Sequence, residues 1–241
     1  MQEHKIKVLV ACEESQRICT EMRRLGYEAY SCDILPAGGK LPEWHICSDV
    51  LPLINGRCTF KTQDGIEHTI DNKWDLLIAH PPCTYLTVTG NKWFNIEKYG
   101  DKARQRFLDR EDAVEFFMSF VNADCEHVCI ENPVGIMSTR YRKPDQIIQP
   151  YMFGENARKS TCLWLKNLPH LIPTNVVDPG EISKQGLSIG AAAYFARDNN
   201  GKILRYNDPE TKRIRSRTYI GIAKAMAEQF GGYVQNENNK M

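Results

Sequence analysis

Residues 74–86, Trp-Asp-Leu-Leu-Ile-Ala-His-Pro-Pro-Cys-Thr-Tyr-Leu, constrain the fold more than any other part of this chain. Leu76, Leu77, Ile78 and Ala79 form a wholly apolar run between polar residues, the pattern of a strand buried on both faces. Pro81 and Pro82 stop the run and stiffen the backbone beyond it. Such a strand belongs in the middle of an α/β sheet, and ligands bind at the carboxyl edge of open α/β sheets. Cys83 follows at once, so a thiol stands on a stiff turn where it can attack. The alternative reading of Cys83 is a small core residue.

The rest of the chain alternates around that strand. Residues 5–11 read as a strand. Ser15 is placed to cap a helix whose Ile18, Met22 and Leu25 share one face, and Gly26 ends it. Residues 27–34 form the next strand, closing on Asp33. After a loop with Pro36, Gly38, Gly39 and Pro42, residues 45–50 read as a third strand end. Residues 58–70 suit a hairpin. Residues 84–110 are a long polar and aromatic connection, expected to act as a lid. An amphipathic helix is predicted over 111–121, a strand over 127–130 and another over 161–165. Residues 167–208 promise only loops and short strands. A last helix spans 218–230, with Gly231 and Gly232 as its stop, and 236–241 is expected to fray. This alternation predicts an α/β fold with a doubly wound, mostly parallel sheet. Residues 1–165 form its core, 166–215 a small irregular C-terminal insertion, and 216–235 a helix returning to the core.

The 241 residues suit one domain. No apolar run approaches the ~20 residues of a membrane helix, and the first residues lack the apolar core of an export signal. A cytoplasmic protein with no membrane partner is therefore expected. Nine cysteines, an odd number with no Cys-x-x-Cys pair, argue against disulfides and structural zinc. Charge is uneven: residues 140–217 hold fourteen Lys/Arg against seven Asp/Glu. That asymmetry suggests a face for a polyanion, or else a mixed solvated surface.

Acidic residues recur where strands end. Asp33 follows the second strand, where nucleoside-binding α/β folds accept hydrogen bonds from ribose hydroxyls. Asp49 follows the third and could take an adenine amino group. Either could equally be a turn-capping residue. Glu131 follows an apolar strand and precedes Asn132-Pro133, so it should be partly buried. Burial would raise its pKa and let it hold a proton for a ring nitrogen. The alternative is a structural ion pair with an arginine.

His80-Pro81-Pro82-Cys83 and Glu131-Asn132-Pro133 resemble the Pro-Pro-Cys and Glu-Asn-Val signatures of DNA cytosine-5 methyltransferases. Arg158, in Asn156-Ala157-Arg158-Lys159-Ser160, is similar to the first arginine of that family's Gln-x-Arg-x-Arg segment. Tyr219-Ile220-Gly221 resembles the C-terminal motif that returns to the cofactor pocket. The resemblance spans residues 5–165 and 216–231 in the family order. It implies a Rossmann-like methyltransferase sheet, S-adenosylmethionine as cofactor and DNA as partner. It implies cofactor contacts from the first loop (Ala11, Glu13, Ser15), from Asp33, Asp49 and Pro81, and from Tyr219 and Gly221. It makes Cys83 the nucleophile on carbon 6 of cytosine, Glu131 the partner of ring nitrogen 3, and Arg158 the partner of the base carbonyl. The base would be flipped out of the duplex, with Trp93 or Phe94 filling the gap unless they pack in the core.

Some positions depart from the family pattern. The glycine-rich Phe-x-Gly-x-Gly loop is replaced by Ala11-Cys12-Glu13-Glu14-Ser15-Gln16. Ser160 stands where a second arginine is usual, and Thr84 where glutamine is. The fifty-odd residues after Trp164 are few for a target-recognition domain, so weak or short sequence specificity is expected. Two further readings stay open: a pyrimidine-modifying enzyme using another cofactor or a free nucleotide, and a catalytically silent nucleic-acid-binding module built on Lys212, Arg213, Arg215 and Arg217. The oligomeric state is not readable from the sequence.

Overall fold

The computed structural model describes residues 5–180, 197–205 and 208–240. Its strands are β1 (Lys7–Ala11), β2 (Glu28–Asp33), β3 (His45–Cys47), β4 (Cys58–Lys61), β5 (Glu67–Ile70), β6 (Leu76–Ala79), β7 (His127–Pro133), β8 (Gln146–Ile148) and β9 (Thr161–Lys166). Its α-helices are α1 (Arg17–Arg24), α2 (Ile96–Tyr99), α3 (Asp101–Val121), α4 (Met137–Arg140), α5 (Pro209–Ser216), α6 (Ile220–Ala225) and α7 (Gly232–Asn238).

Seven strands make one sheet in the order β3-β2-β1-β6-β7-β9-β8, and β4-β5 form a separate hairpin. β3, β2, β1, β6 and β7 run parallel, while β9 is antiparallel to both β7 and β8. Thus the fold is α/β with a mostly parallel central sheet. Each residue of β6 is completely buried, as its apolar run requires.

Side-chain alternation divides the interior in two. Val8, Val10, Leu76, Ile78 and Cys129 join Ile18 and Met22 of α1 and Ile222 and Ala225 of α6. Leu9, Ala11, Leu77, Ala79, Val128 and Ile130 instead join Phe117 and Phe120 of α3. At ~25 cal/mol per Å², burial of such side chains is the main force holding these layers together.

Four local readings are corrected. Ser15 does not cap α1; Gln16 occupies the cap position with φ 57° and makes no side-chain cap bond. The Glu13 carboxylate does that work, accepting from the Ile18 and Cys19 amides at 2.6 and 3.2 Å. The helix expected from residue 111 begins ten residues earlier, at Asp101. Its first turns lack an apolar stripe, exposing Phe107 and Leu108, but consist of good helix formers. Gly231 and Gly232 do not stop the last helix. A π-helical turn, Met226–Gly231, carries it from α6 into α7. Gly231 is needed for another reason: a Cβ there would collide with the Tyr27 ring. The expected fraying of 236–241 is replaced by helix in the described part: α7 runs to Asn238, whose side-chain amide donates to Asp75 at 3.0 Å, and the Asn239 and Lys240 amides donate to the Gln235 and Glu237 carbonyls, while Met241 lies outside the described residues.

The short strand β8 escaped the sequence reading. Within residues 167–208 the described part shows isolated bridges, Phe153 with Asn175 and Arg197 with Ile203. The remainder of that expectation, over 181–196 and 206–207, lies outside the described residues.

Candidate active site

The parallel register places the candidate residues on one carboxyl edge. Ala11 pairs with Cys32 and with Ala79, and Ala79 pairs with Ile130. The residues that follow are therefore neighbours: Cys12 and Glu13 after β1, Asp33 ending β2, His80 after β6, and Glu131 on β7. Asp49 lies two residues beyond β3, whose Cys47 pairs with Asp33.

Cys83 is exposed. Its carbonyl accepts from the Leu86 and Thr87 amides, both at 3.0 Å, so the backbone turns sharply there. Pro81 is anchored from the next strand: its carbonyl accepts from Asn132 Nδ2 at 2.7 Å. Desolvation around the sulfur raises the Cys83 pKa, the Glu131 charge adds to this, and the Lys159 charge opposes it.

Glu131 is not paired with an arginine. Its Oε2 lies 3.0 Å from His80 Nδ1, with the two side chains 19% and 11% exposed. Burial alone would lift its pKa, but the hydrogen bond and charge of His80, aided by Lys159, hold it below the ordinary carboxylate value. The carboxyl expected to have a raised pKa therefore has a lowered one, because His80 and Lys159 stand near it.

Lys159 is the site residue the sequence reading passed over. Its ammonium donates to the Arg215 carbonyl at 3.2 Å and lies 5.9 Å from the Tyr219 ring centre. Arg158 is exposed, its guanidinium 5.8 Å from the Tyr151 ring. The register explains the difference. Glu131 pairs with Leu163, and two-residue alternation carried back from Leu163 puts Lys159, not Arg158, on Glu131's side. The same counting from Ile78, the partner of Cys129, puts His80 on Glu131's side.

The edge above β1–β3 is acidic. Glu13 is buried, with both carboxylate oxygens engaged by α1. Burial raises its pKa to about 7 against the opposing pull of the His80 charge and the amide bonds. Asp33 accepts from the Leu35 amide at 3.0 Å and Asp49 from the Leu51 amide at 3.1 Å, both as turn-forming carboxylates. Burial raises the Asp33 pKa. Cys12, whose φ of 58° would cost a glycine least, has its thiol raised by burial and then by Asp33, Cys32 and Asp49. The glycines absent from the first loop stand in the one that covers it. A Cβ on Gly38 or Gly39 would press on Glu14 or Gln16. Ser15 is half-buried beneath that cover, and the Ala11 carbonyl accepts from the His80 amide at 3.0 Å.

Tyr219 and Gly221 open α6 beside Lys159. Tyr219 is buried, and desolvation pushes its pKa up to about 12. Gly221 lies so close to the Phe153 carbonyl that a Cβ would collide with it. Arg17 of α1 ties this junction to the sheet by donating to the Thr218 carbonyl at 2.5 Å.

The segment expected to be a lid is held at both ends. The Val88 amide donates to the Val134 carbonyl and the Ile136 amide to the Leu86 carbonyl, at 3.2 and 2.9 Å. Arg106 and Arg110 of α3 donate to the Thr84 and Tyr85 carbonyls, and Arg110 stacks 3.4 Å from the Phe94 ring centre. Phe94 thus packs on α3, whereas Trp93 is 46% exposed against Tyr99. Hollows of about 280 and 330 Å³ lie elsewhere, beside Tyr141 and Trp164 and beside Lys73 and His127.

Comparison with models of protein families gives no match, and no curated protein matches the chain. Among the described residues no group of His, Cys, Asp and Glu could hold a metal ion, and no helix is long and apolar enough to cross a membrane.

Proposed function

We propose that this protein is a DNA cytosine-5 methyltransferase of small size, built on a doubly wound Rossmann-like methyltransferase sheet and working in the cytoplasm. One observation carries the reading: an exposed thiol follows β6 at the strand edge where the Glu131 carboxylate meets His80 at 3.0 Å. Carbon 5 of cytosine is a poor nucleophile. Addition of the Cys83 sulfur to carbon 6 turns the ring into an enamine, and Glu131, taking up a proton as the pyrimidine binds, donates it to ring nitrogen 3 so that negative charge does not accumulate. Lys159 steadies the thiolate, and Arg158 takes the base carbonyl. An open edge admits a base swung out of a duplex. Nine free cysteines suit a reducing compartment.

The acidic edge fits S-adenosylmethionine, a nucleoside carrying positive charge. Asp33 would take the ribose hydroxyls and Asp49 the adenine amino group, with Ala11, Ser15, Pro81, Tyr219 and Gly221 around them. When bound, the cofactor supplies the methyl group. Glu13, with both oxygens on α1, would act through its charge rather than by direct contact.

The test is incubation with fluorocytosine-containing DNA and cofactor. A denaturation-resistant adduct that disappears in Cys83→Ser is the expected result. No adduct in wild type, or an undiminished one in the variant, ends the reading. A second reading, a pyrimidine-modifying enzyme with another cofactor, is favoured by the glycine-free first loop. Calorimetry showing no binding of S-adenosylmethionine would select it.

A further inference from the structure

A pyrimidine reaches Cys83 only when it is out of its stack, and in a duplex some part of the enzyme must drive it out. The segment that follows Cys83 is placed to do so, yet it is fastened on two sides. Toward β7, Thr87 bridges Gly135. The Val88 amide donates to the Val134 carbonyl at 3.2 Å and the Ile136 amide to the Leu86 carbonyl at 2.9 Å. The fit is tight, since a Cβ on Gly135 would collide with the Leu86 carbonyl. Toward α3, Arg106 Nη2 and Arg110 Nε donate to the Thr84 and Tyr85 carbonyls at 3.0 and 2.9 Å. Arg110 Nη2 also donates to Asn91 Oδ1 at 2.8 Å, and its guanidinium lies 3.4 Å from the Phe94 ring centre. To wedge into a duplex, the segment would have to give up these bonds together.

Fastened in this way, it presents a fixed surface instead. Trp93 lies between Asn91 and Phe94, both held by Arg110, and is 46% exposed. Its ring meets Tyr99 at 5.2 Å. Phe94 meets Phe107 edge-on at 5.0 Å, and Phe107 is 42% exposed. Lys92 and Lys98 hold their ammonium groups 5.2 and 5.4 Å from the Trp93 and Tyr99 ring centres. Both lysines are exposed, as is Lys102. Residues 84–110 hold six Lys/Arg against three Asp/Glu. Exposed rings set among cations suit an unpaired strand: every free base offers a face to a ring, and the cations follow the phosphates. A duplex keeps its base faces stacked on one another and gains only the charge.

We infer that residues 84–107 form a stacking platform for single-stranded DNA, and that the protein takes its pyrimidine from unpaired strands rather than from duplex; the choice of DNA and of a pyrimidine rests on the cytosine-5 reading. The platform is tested without chemistry. The probes are labelled oligothymidylate, its duplex with oligodeoxyadenylate, and oligouridylate, followed by anisotropy with the full chain. Expected is a single strand bound about 10-fold tighter than duplex, an about 10-fold loss in Trp93→Ala, and recovery of most of it in Trp93→Phe. The unfolding midpoint should not move in either variant, because the ring is largely in solvent. Replacing Lys92 and Lys98 together by alanine should flatten the log–log salt dependence by about 1.4, the sum of two phosphate contacts on a single strand. Duplex bound as tightly as single strand, or Trp93→Ala binding like wild type, overturns the platform. Oligouridylate bound more tightly than oligothymidylate overturns the choice of DNA.

Fluorocytosine strands then separate this inference from the reading beneath it. An adduct that forms faster on single strand than on duplex supports both. An adduct that forms equally fast on duplex overturns the preference for unpaired strands and leaves the cytosine-5 reading standing. Single-strand binding through Trp93 with no adduct on either form supports the platform and removes the cytosine-5 reading alone.

Discussion

The two halves of the carboxyl edge treat their carboxylates in opposite ways. Above β6 and β7, Glu131 faces the side chain of His80 and the charge of Lys159, and its pKa falls. Above β1 and β2, Glu13 and Asp33 are bound by backbone amides and their pKa values rise. All three are desolvated. Backbone amides fix a carboxylate in position but carry only partial charge, so at these sites burial still dominates. At Glu131 the hydrogen bond and charge of His80 and the charge of Lys159 together outweigh it. One half is therefore built to hold charge and the other to hold shape.

The largest effect that could break this contrast lies at Cys83. Cys83→Ser should lower methyl transfer by about 10⁴-fold or more, as loss of a covalent nucleophile does. Residual turnover near the wild-type level would show that the β6–β7 half is not the reacting one. Next comes Glu13. Its pKa is raised, so it stabilises the fold most when protonated, and that contribution is lost as pH rises from the ordinary carboxylate range towards about 7. Glu13→Gln keeps an acceptor for α1 and should flatten the pH dependence of denaturant stability in that window, by about 3 kcal/mol at most. A variant as pH-sensitive as wild type would place the titration elsewhere.

A smaller effect is expected at Asp33. Asp33→Asn should weaken S-adenosylmethionine by about 10-fold, the value of one charge-assisted hydrogen bond, while leaving the alkylation rate of Cys83 unchanged. Calorimetry and a thiol-reaction assay read the two halves separately, and coupled losses would show that they are one unit. The smallest effect concerns the lysine. Lys159→Met should slow iodoacetamide alkylation of Cys83 severalfold near neutral pH by lifting the thiol pKa further. Arg158→Met should alter it less. The reverse order would make Arg158, not Lys159, the cation that acts on Cys83.

Local pattern was enough to locate β6, the β4–β5 hairpin and the carboxyl edge bearing Cys83, Asp33, Asp49 and Glu131. An apolar run stopped by prolines has few other solutions. Parity along β9 was also legible, but it points to Lys159 only once the structure pairs Glu131 with Leu163. The beginning of α3 was less so, because its first turns form by helix propensity without burying a face.

What the amino-acid order determined by itself was the strand list, the buried centre and the edge on which reactive groups stand, since alternation and chain-breaking residues act within a few positions. Tertiary structure alone decided the charge state of Glu131, the capping of α1 by Glu13 and the partnership with His80. Those depend on which groups meet across strands distant in the sequence. Electrostatic energy follows spatial separation and desolvation, and neither is written in local order.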